Sequence, residues 1–216
     1  MSSAKPNHQR PELPDFWDHR FRSGVTPWEA GEAPSALRDF ADRYASPAPP
    51  KRQAEPGGGA SQPQVLIPGC GSACDAAFLA QRGWEVTALD FSGAAVERAR
   101  WTLGDSWRGK LLCADFFTFT PEARFDLIYE RAFLCALPRK LWPDYAARIA
   151  GLLHPGGLLV GFFLFGSEVP GPPFAILPEQ LDDLLAASFV RRDDRPVTDS
   201  LPVFAGRERW QEWQRR

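Results

Sequence analysis

Histidine, cysteine and excess charge are scarce in this 216-residue chain, and each scarcity removes a class of protein. The three histidines, His8, His19 and His154, are too scattered to complete a zinc site. The four cysteines, Cys70, Cys74, Cys113 and Cys135, form no C-x-x-C pair, so Cys70 and Cys74 read as small packing residues rather than a redox couple. Basic residues number 25 against 27 acidic ones, for a net charge of −2, which argues against a nucleic-acid backbone as partner. No apolar run approaches the roughly 18 residues that would cross a bilayer, so no membrane partner is expected. The opening MSSAKPNHQRPELPDFW carries neither the apolar core nor the small-residue cleavage site of a secretory signal. A reduced, metal-free, cytoplasmic protein is the expectation. Nor is a Ser-His-Asp or Cys-His catalytic set apparent.

What is present is ordinary globular material, 44% hydrophobic and 24% charged, enough for a single domain. One linker punctuates it. Residues 46–64, SPAPPKRQAEPGGGASQPQ, hold five prolines and three glycines with no apolar side chain larger than alanine, so they are expected to form a flexible surface loop. Residues 1–45 are too few to fold alone and read as a cap, with a helix over 35–44. Residues 65–216 form the core. There, strands over 65–67, 84–89, 110–114, 125–129 and 158–165 alternate with helices over 72–82, 94–103 and 141–153. Such alternation calls for a mostly parallel sheet with helices on both faces, an α/β fold. The last third reads as a loop containing GPPF, a helix over 178–188 and a polar tail ending RERWQEWQRR.

Two features inside that alternation carry chemistry. Gly69 and Gly71 follow the first strand and open a helix, where small residues let the backbone approach a ligand and the helix N-terminus offers free N–H donors. Asp90 stands at the tip of the next strand, 21 residues after Gly69, where a carboxylate accepts the hydroxyls of a ribose. Together they point to a nucleoside site. A dinucleotide fingerprint requires a third glycine at position 74, which is Cys74. Asp115 and Phe116 after the third strand suit adenine instead, the carboxylate accepting the exocyclic amine and the ring packing on the base. Cys74 and the His154-Pro155-Gly156-Gly157 turn favour a donor without a pyrophosphate over NAD(P).

This set resembles the Rossmann-like methyltransferases that use S-adenosylmethionine. The tryptophans of FWDHRFRSGVTPWEAG, PGCG at 68–71, FDLIYERAFLCALP at 125–138 and GPPF at 171–174 narrow it further. In that order they resemble the thiopurine S-methyltransferase superfamily, closest to its thiol and halide methyltransferase branch. Phe21 stands where that branch usually has tryptophan, and Arg131 where it usually has tyrosine, Arg131 being the thiopurine-type residue.

The resemblance implies a class I fold of seven mostly parallel strands with an N-terminal cap. It implies S-adenosylmethionine as donor, S-adenosylhomocysteine as product, and a monomer acting on a small thiol, thiopurine or halide by in-line displacement. Trp17, Phe21 and Trp28 would fold over the methionyl half, with Gly69 and Gly71 touching it through the backbone. Asp90 would take the ribose, Asp115 and Phe116 the adenine. Arg131 would sit between donor and acceptor as the pocket's only fixed charge, unless it pairs with Glu130 or Asp126. Phe133, Pro172, Pro173 and Phe174 would complete an acceptor pocket with Phe21, Trp28 and Arg131. Oxygen or nitrogen methylation, NAD(P)-dependent oxidoreduction and a non-catalytic nucleoside-binding module are the competing readings.

Overall fold

A computed structural model describes residues 6–45, 62–167 and 170–216. Most of the expected linker, residues 46–61, lies outside the described residues. In chain order the elements are α1 (Pro14–Arg22), α2 (Ser35–Ala45), β1 (Gln64–Pro68), α3 (Cys74–Gln81), β2 (Glu85–Asp90), α4 (Gly93–Leu103), β3 (Lys110–Cys113), β4 (Phe125–Arg131), α5 (Trp142–Leu152), β5 (Leu153–Leu164), α6 (Pro178–Ala186), β6 (Phe189–Pro196) and β7 (Glu208–Arg215). They build one seven-stranded sheet of order β3-β2-β1-β4-β5-β7-β6. The first five strands pair in parallel; β7 runs antiparallel between β5 and β6.

The period-2 alternation of the strands sends successive side chains to opposite faces. Val65 and Ile67 of β1, with Leu127, Val160 and Trp210, pack under α2, α3 and α4. Leu66, Ile128, Leu159, Phe163 and Trp213 face the other way, under α5 and α6. On α2, Leu37, Phe40 and Ala41 recur at helical spacing and are fully buried, Phe40 lying 5.7 Å from the Trp210 ring. Ser92 caps α4 through its hydroxyl, which accepts from the Ala95 N–H at 3.1 Å, and Gly104 ends that helix.

The expected strands and helices agree with these elements to within a few residues. The polar tail does not: it holds two strands, β6 at the sheet edge and β7, an interior strand within RERWQEWQRR. Its polar residues are partnered, which is how the sheet tolerates them. The Trp210 indole donates to Glu212 and the Trp213 indole to Gln211, both at 3.0 Å, and Arg43 pairs with Glu212. Burying the Trp210 indole contributes about 4–6 kcal/mol, so two tryptophans anchor a strand that composition reads as solvent-facing. Among the described residues, no helix is long and apolar enough to cross a membrane.

Candidate active site

The site forms where β1 and β4 diverge, because the chain leaves β1 on one face of the sheet and β4 on the other. Gly69 and Gly71 adopt left-handed backbone angles, φ 59° and 51°. A Cβ at Gly69 would meet the Phe133 ring at 2.5 Å, so glycine is required by space as well as by conformation. Asp90, 7% exposed, closes this loop: its two oxygens accept from the Gly71 N–H at 3.1 Å and the Ser92 N–H at 2.9 Å. Burial pushes the Asp90 carboxyl up to about 6, with the Glu29 and Asp18 carboxylates adding to the rise against those two N–H donors.

Glu29 and Asp18 come from the N-terminal segment and seat it on the same loops. The Glu29 carboxylate accepts from the Ser72 N–H at 2.7 Å, at the entrance to α3. It lies so close to Gly71 that a Cβ there would approach it to 2.9 Å. Asp18 accepts from the Ser92 hydroxyl at 2.6 Å and the Ala94 N–H at 3.0 Å, at the start of α4. Burial would raise the Asp18 carboxyl, but Ser92, Ala94 and Arg22 outweigh it and hold the group below its usual range. The N-terminus of α4, a natural place for an anion, is thus filled by a carboxylate of the chain itself.

Beneath this segment lies a cavity of about 1040 Å³. Trp17, Phe21 and Trp28 roof it; the Trp17 indole donates to the Pro11 carbonyl at 2.8 Å and its ring meets Trp28 edge-on at 5.5 Å. Gly69, Gly71, Asp90, Asp115 and Phe116 border it on the β1–β3 side. Asp115 accepts from the Phe117 N–H at 2.8 Å. Phe116 is 3% exposed and packs into the core against Phe133, ring centres 5.1 Å apart, while half-buried Phe117 stands on the same wall. Phe133, Pro172 and Pro173 line the remainder.

Three expectations need correction. Phe174 is not on the cavity wall: its N–H donates to the Cys135 carbonyl at 2.6 Å, and its ring folds back over Gly171 into the core. Arg131 borders the cavity but pairs with neither Glu130 nor Asp126. Its partner is Asp75 of α3 at 3.4 Å, which also accepts from the Tyr129 hydroxyl at 2.9 Å. Burial pushes the Asp75 carboxyl up, while Arg131 and Tyr129 draw it back. Nor is Arg131 the only charge, since Glu12, Arg20, Lys140, Asp144 and Arg148 also reach the cavity.

Four residues that the motifs did not single out shape the site. Phe91 follows Asp90 onto the cavity wall, a position its place after the acidic strand tip could have signalled. Glu130, 1% exposed, accepts from the Phe133 and Leu134 N–H groups at 2.8 and 3.0 Å and so fixes Phe133 against Gly69. Burial raises the Glu130 carboxyl to about 7. Val203 and Phe204, from the β6–β7 connection, carry no local sequence signal. Among the described residues, no cluster of histidine, cysteine, aspartate and glutamate could hold a metal.

A β3-β2-β1-β4-β5-β7-β6 sheet with a glycine-floored cavity at its switch point is the fold of the class I S-adenosylmethionine-dependent methyltransferases. A solved member, a Burkholderia thailandensis 1,6-didemethyltoxoflavin-N1-methyltransferase with bound S-adenosylhomocysteine, superposes with a TM-score of 0.68. The pair share 21% identity over 100% of this chain and 92% of that one. Within that class the chain belongs to the thiopurine S-methyltransferase (TPMT) family, whose model matches residues 13–216. It is similar to the probable thiol methyltransferase 2 of Arabidopsis thaliana, with 31% identity over 78% of this chain and 70% of that protein. It is also similar to the thiopurine S-methyltransferase of Vibrio vulnificus (strain YJ016), with 30% identity over 86% of this chain and 87% of that protein.

Proposed function

We propose that the chain transfers a methyl group from S-adenosylmethionine to a small thiol or similarly soft nucleophile. The observation that carries this reading is the union of the glycine loop, Asp90 and an aromatic roof around one cavity. The residues fit the donor: each Asp90 oxygen accepts one backbone N–H and keeps a lone pair for a ribose hydroxyl. Phe91 and Phe117 offer faces to adenine, and Asp115 an acceptor for its amine. Trp28 and Phe21, 6.1 Å apart, offer π-faces to a cation, worth about 0.5–2 kcal/mol in a desolvated site.

When bound, S-adenosylmethionine supplies an electrophilic methyl carbon, whose bond to the sulfonium breaks, leaving its electron pair on that sulfur, as the acceptor sulfur bonds to it. The acceptor's proton leaves to solvent, since a thiol of pKa near 8.5 is already a few per cent thiolate at neutral pH. Joining a thiolate to a sulfonium removes charge, and a wall of aromatic side chains that sheds water favours that step. The chain's part is positioning.

Competing chemistries meet obstacles in named residues. A dinucleotide places its pyrophosphate against the glycine loop and the helix that follows, and the Glu29 carboxylate, held on the Ser72 N–H just ahead of α3, would repel it. An alcohol acceptor requires a base to ionise it. Glu12 is held below its usual range by its own backbone N–H, with Arg10 and Lys140 alongside, and is a poor one. Four free cysteines suit a reducing cytoplasmic setting. Calorimetry with S-adenosylhomocysteine and NAD, followed by labelled methyl transfer to a simple thiol, tests the reading. Binding of the first ligand alone, with turnover, is expected; binding without turnover of any acceptor would make the chain a nucleoside-binding module.

A further inference from the structure

Of the side chains that hold a buried polar atom without a hydrogen-bond partner among the described residues, Arg148 alone lines the cavity. A buried donor left unpaired is costly, and on the wall of a ligand cavity the group that relieves it is the ligand. Arg148 stands on α5, whose buried Tyr145, Ile149 and Leu152 hold the helix to the sheet. Helical spacing turns Asp144, Ala147 and Arg148 to the cavity instead.

The guanidinium is aimed. Its Nε–H donates to the Phe116 carbonyl at 3.1 Å, and Phe116 is itself held in the core, its ring centre 6.2 Å from that of Tyr145. On this planar group the Nε–H and one Nη2 N–H lie parallel along one edge. The unpartnered Nη2 therefore points beside the Phe116 carbonyl, along the wall that Asp115 and Phe117 share. Asp115 is fixed on that wall too, since one of its oxygens accepts from the Phe117 N–H at 2.8 Å. A carboxylate acceptor and a guanidinium donor thus flank the Phe116 backbone. Lys140, on the approach to α5, is engaged by Glu12 at 3.8 Å and offers no second donor here.

An acceptor beside a donor matches one edge of adenine, where the exocyclic amine donates between two ring acceptors, N1 and N7. Hypoxanthine presents a carbonyl oxygen in place of that amine and so reverses the pattern. Resting on the placement of adenine against Asp115, we propose that Arg148 recognises the donor. Its Nη2 N–H bonds a ring nitrogen next to the amine that Asp115 accepts, and the two side chains together select an adenine nucleoside. The selectivity of the donor site then draws on a helix that carries no glycine-loop or strand-tip signal.

Calorimetric titration of the full chain with S-adenosylhomocysteine and three analogues tests this. Two are its 1-deaza and 7-deaza forms, in which C–H replaces one ring nitrogen; the third is S-inosylhomocysteine. At least one deaza form should bind about ten-fold or more weakly than S-adenosylhomocysteine, because its C–H faces the Arg148 N–H. Arg148→Met should weaken S-adenosylhomocysteine by a similar factor and close that gap to about two-fold. Should the methionine variant not fold, Arg148→Lys should narrow the gap at least about three-fold, since an ammonium lacks the fork that meets the Phe116 carbonyl and a ring nitrogen together. A merely structural arginine would weaken every ligand alike. A gap that persists in the variant, or two deaza forms that both bind like S-adenosylhomocysteine, overturns the inference and leaves the donor and the thiol reading standing. S-inosylhomocysteine should bind about 100-fold or more weakly, since its carbonyl meets Asp115. Equal affinity for it overturns the Asp115 placement and this inference with it.

Discussion

Replacing Asp90 by asparagine should move stability and ligand affinity in opposite directions at pH 8, and the structure sets the size of each. The Asp90 carboxyl titrates near 6 rather than at its ordinary 3.8, so ionising it in the folded protein costs about 3 kcal/mol more than in the unfolded chain. Because the folded value is raised, its stabilising effect is complete below pH 3.8 and is lost as the pH rises through 6. Asp90→Asn removes that charge and keeps one oxygen acceptor, but its NH₂ faces one of the N–H groups of Gly71 and Ser92, at a cost of about 1–3 kcal/mol. The net at pH 8 is a gain of about 0–2 kcal/mol, and at pH 4 a loss of about 1–3 kcal/mol. Affinity for S-adenosylhomocysteine should fall ten-fold or more, because the amide accepts at only one atom where the ribose presents two hydroxyls. Urea unfolding at pH 4, 6 and 8, with calorimetric titration at pH 8, measures both. A loss of stability that is the same at every pH, or an unchanged affinity, would refute the burial argument or the ribose placement respectively. Asp90→Ala is the poorer variant, since it orphans two buried N–H donors at once.

The remaining predictions concern the cap and the turn after β4. Glu29→Gln should loosen the seat of residues 14–30, raising their amide exchange about ten-fold, because a charge-assisted bond to the Ser72 N–H becomes a neutral one; unchanged exchange would mean that the aromatic contacts alone hold the cap. Glu130→Gln should flatten the wild-type decline in stability between pH 4.5 and 7, a window worth on the order of 3 kcal/mol for a carboxyl raised to about 7. Persistence of the full slope would show that Glu130 is not the group responsible. The same variant should keep Phe133 in place, since its amide oxygen still accepts from the Phe133 and Leu134 N–H groups, and kcat should hold near wild type.

Residues whose place at the cavity follows from local geometry were legible in the sequence. Gly69, Gly71 and Asp90 sit at strand tips, where chain direction, absent side chains and a single carboxylate declare themselves within about 20 residues. Trp17, Phe21 and Trp28 share one short segment, and all three reach the cavity. What long-range pairing decides was not legible. Nothing around Glu29 says that its carboxylate ends on Ser72, 43 residues on, nor that Arg131 meets Asp75 rather than its neighbours. Strand β7 was hidden because Glu212 and Gln211 are buried only by virtue of their indole and arginine partners. Phe174 turned inward because Gly171 beside it leaves room for the ring, a fact visible only in three dimensions.

Soft-nucleophile selectivity is the central claim, and matched acceptors test it most directly. With labelled S-adenosylmethionine at neutral pH, benzenethiol, phenol and aniline present one aryl body with sulfur, oxygen and nitrogen to the same cavity. The thiol alone is substantially ionised without a base, and its sulfur is a softer nucleophile than the neutral aniline nitrogen, so it should turn over at least about 100-fold faster than either counterpart. A phenol or aniline rate comparable to that of the thiol would contradict the account and make the chain an oxygen- or nitrogen-methylating enzyme.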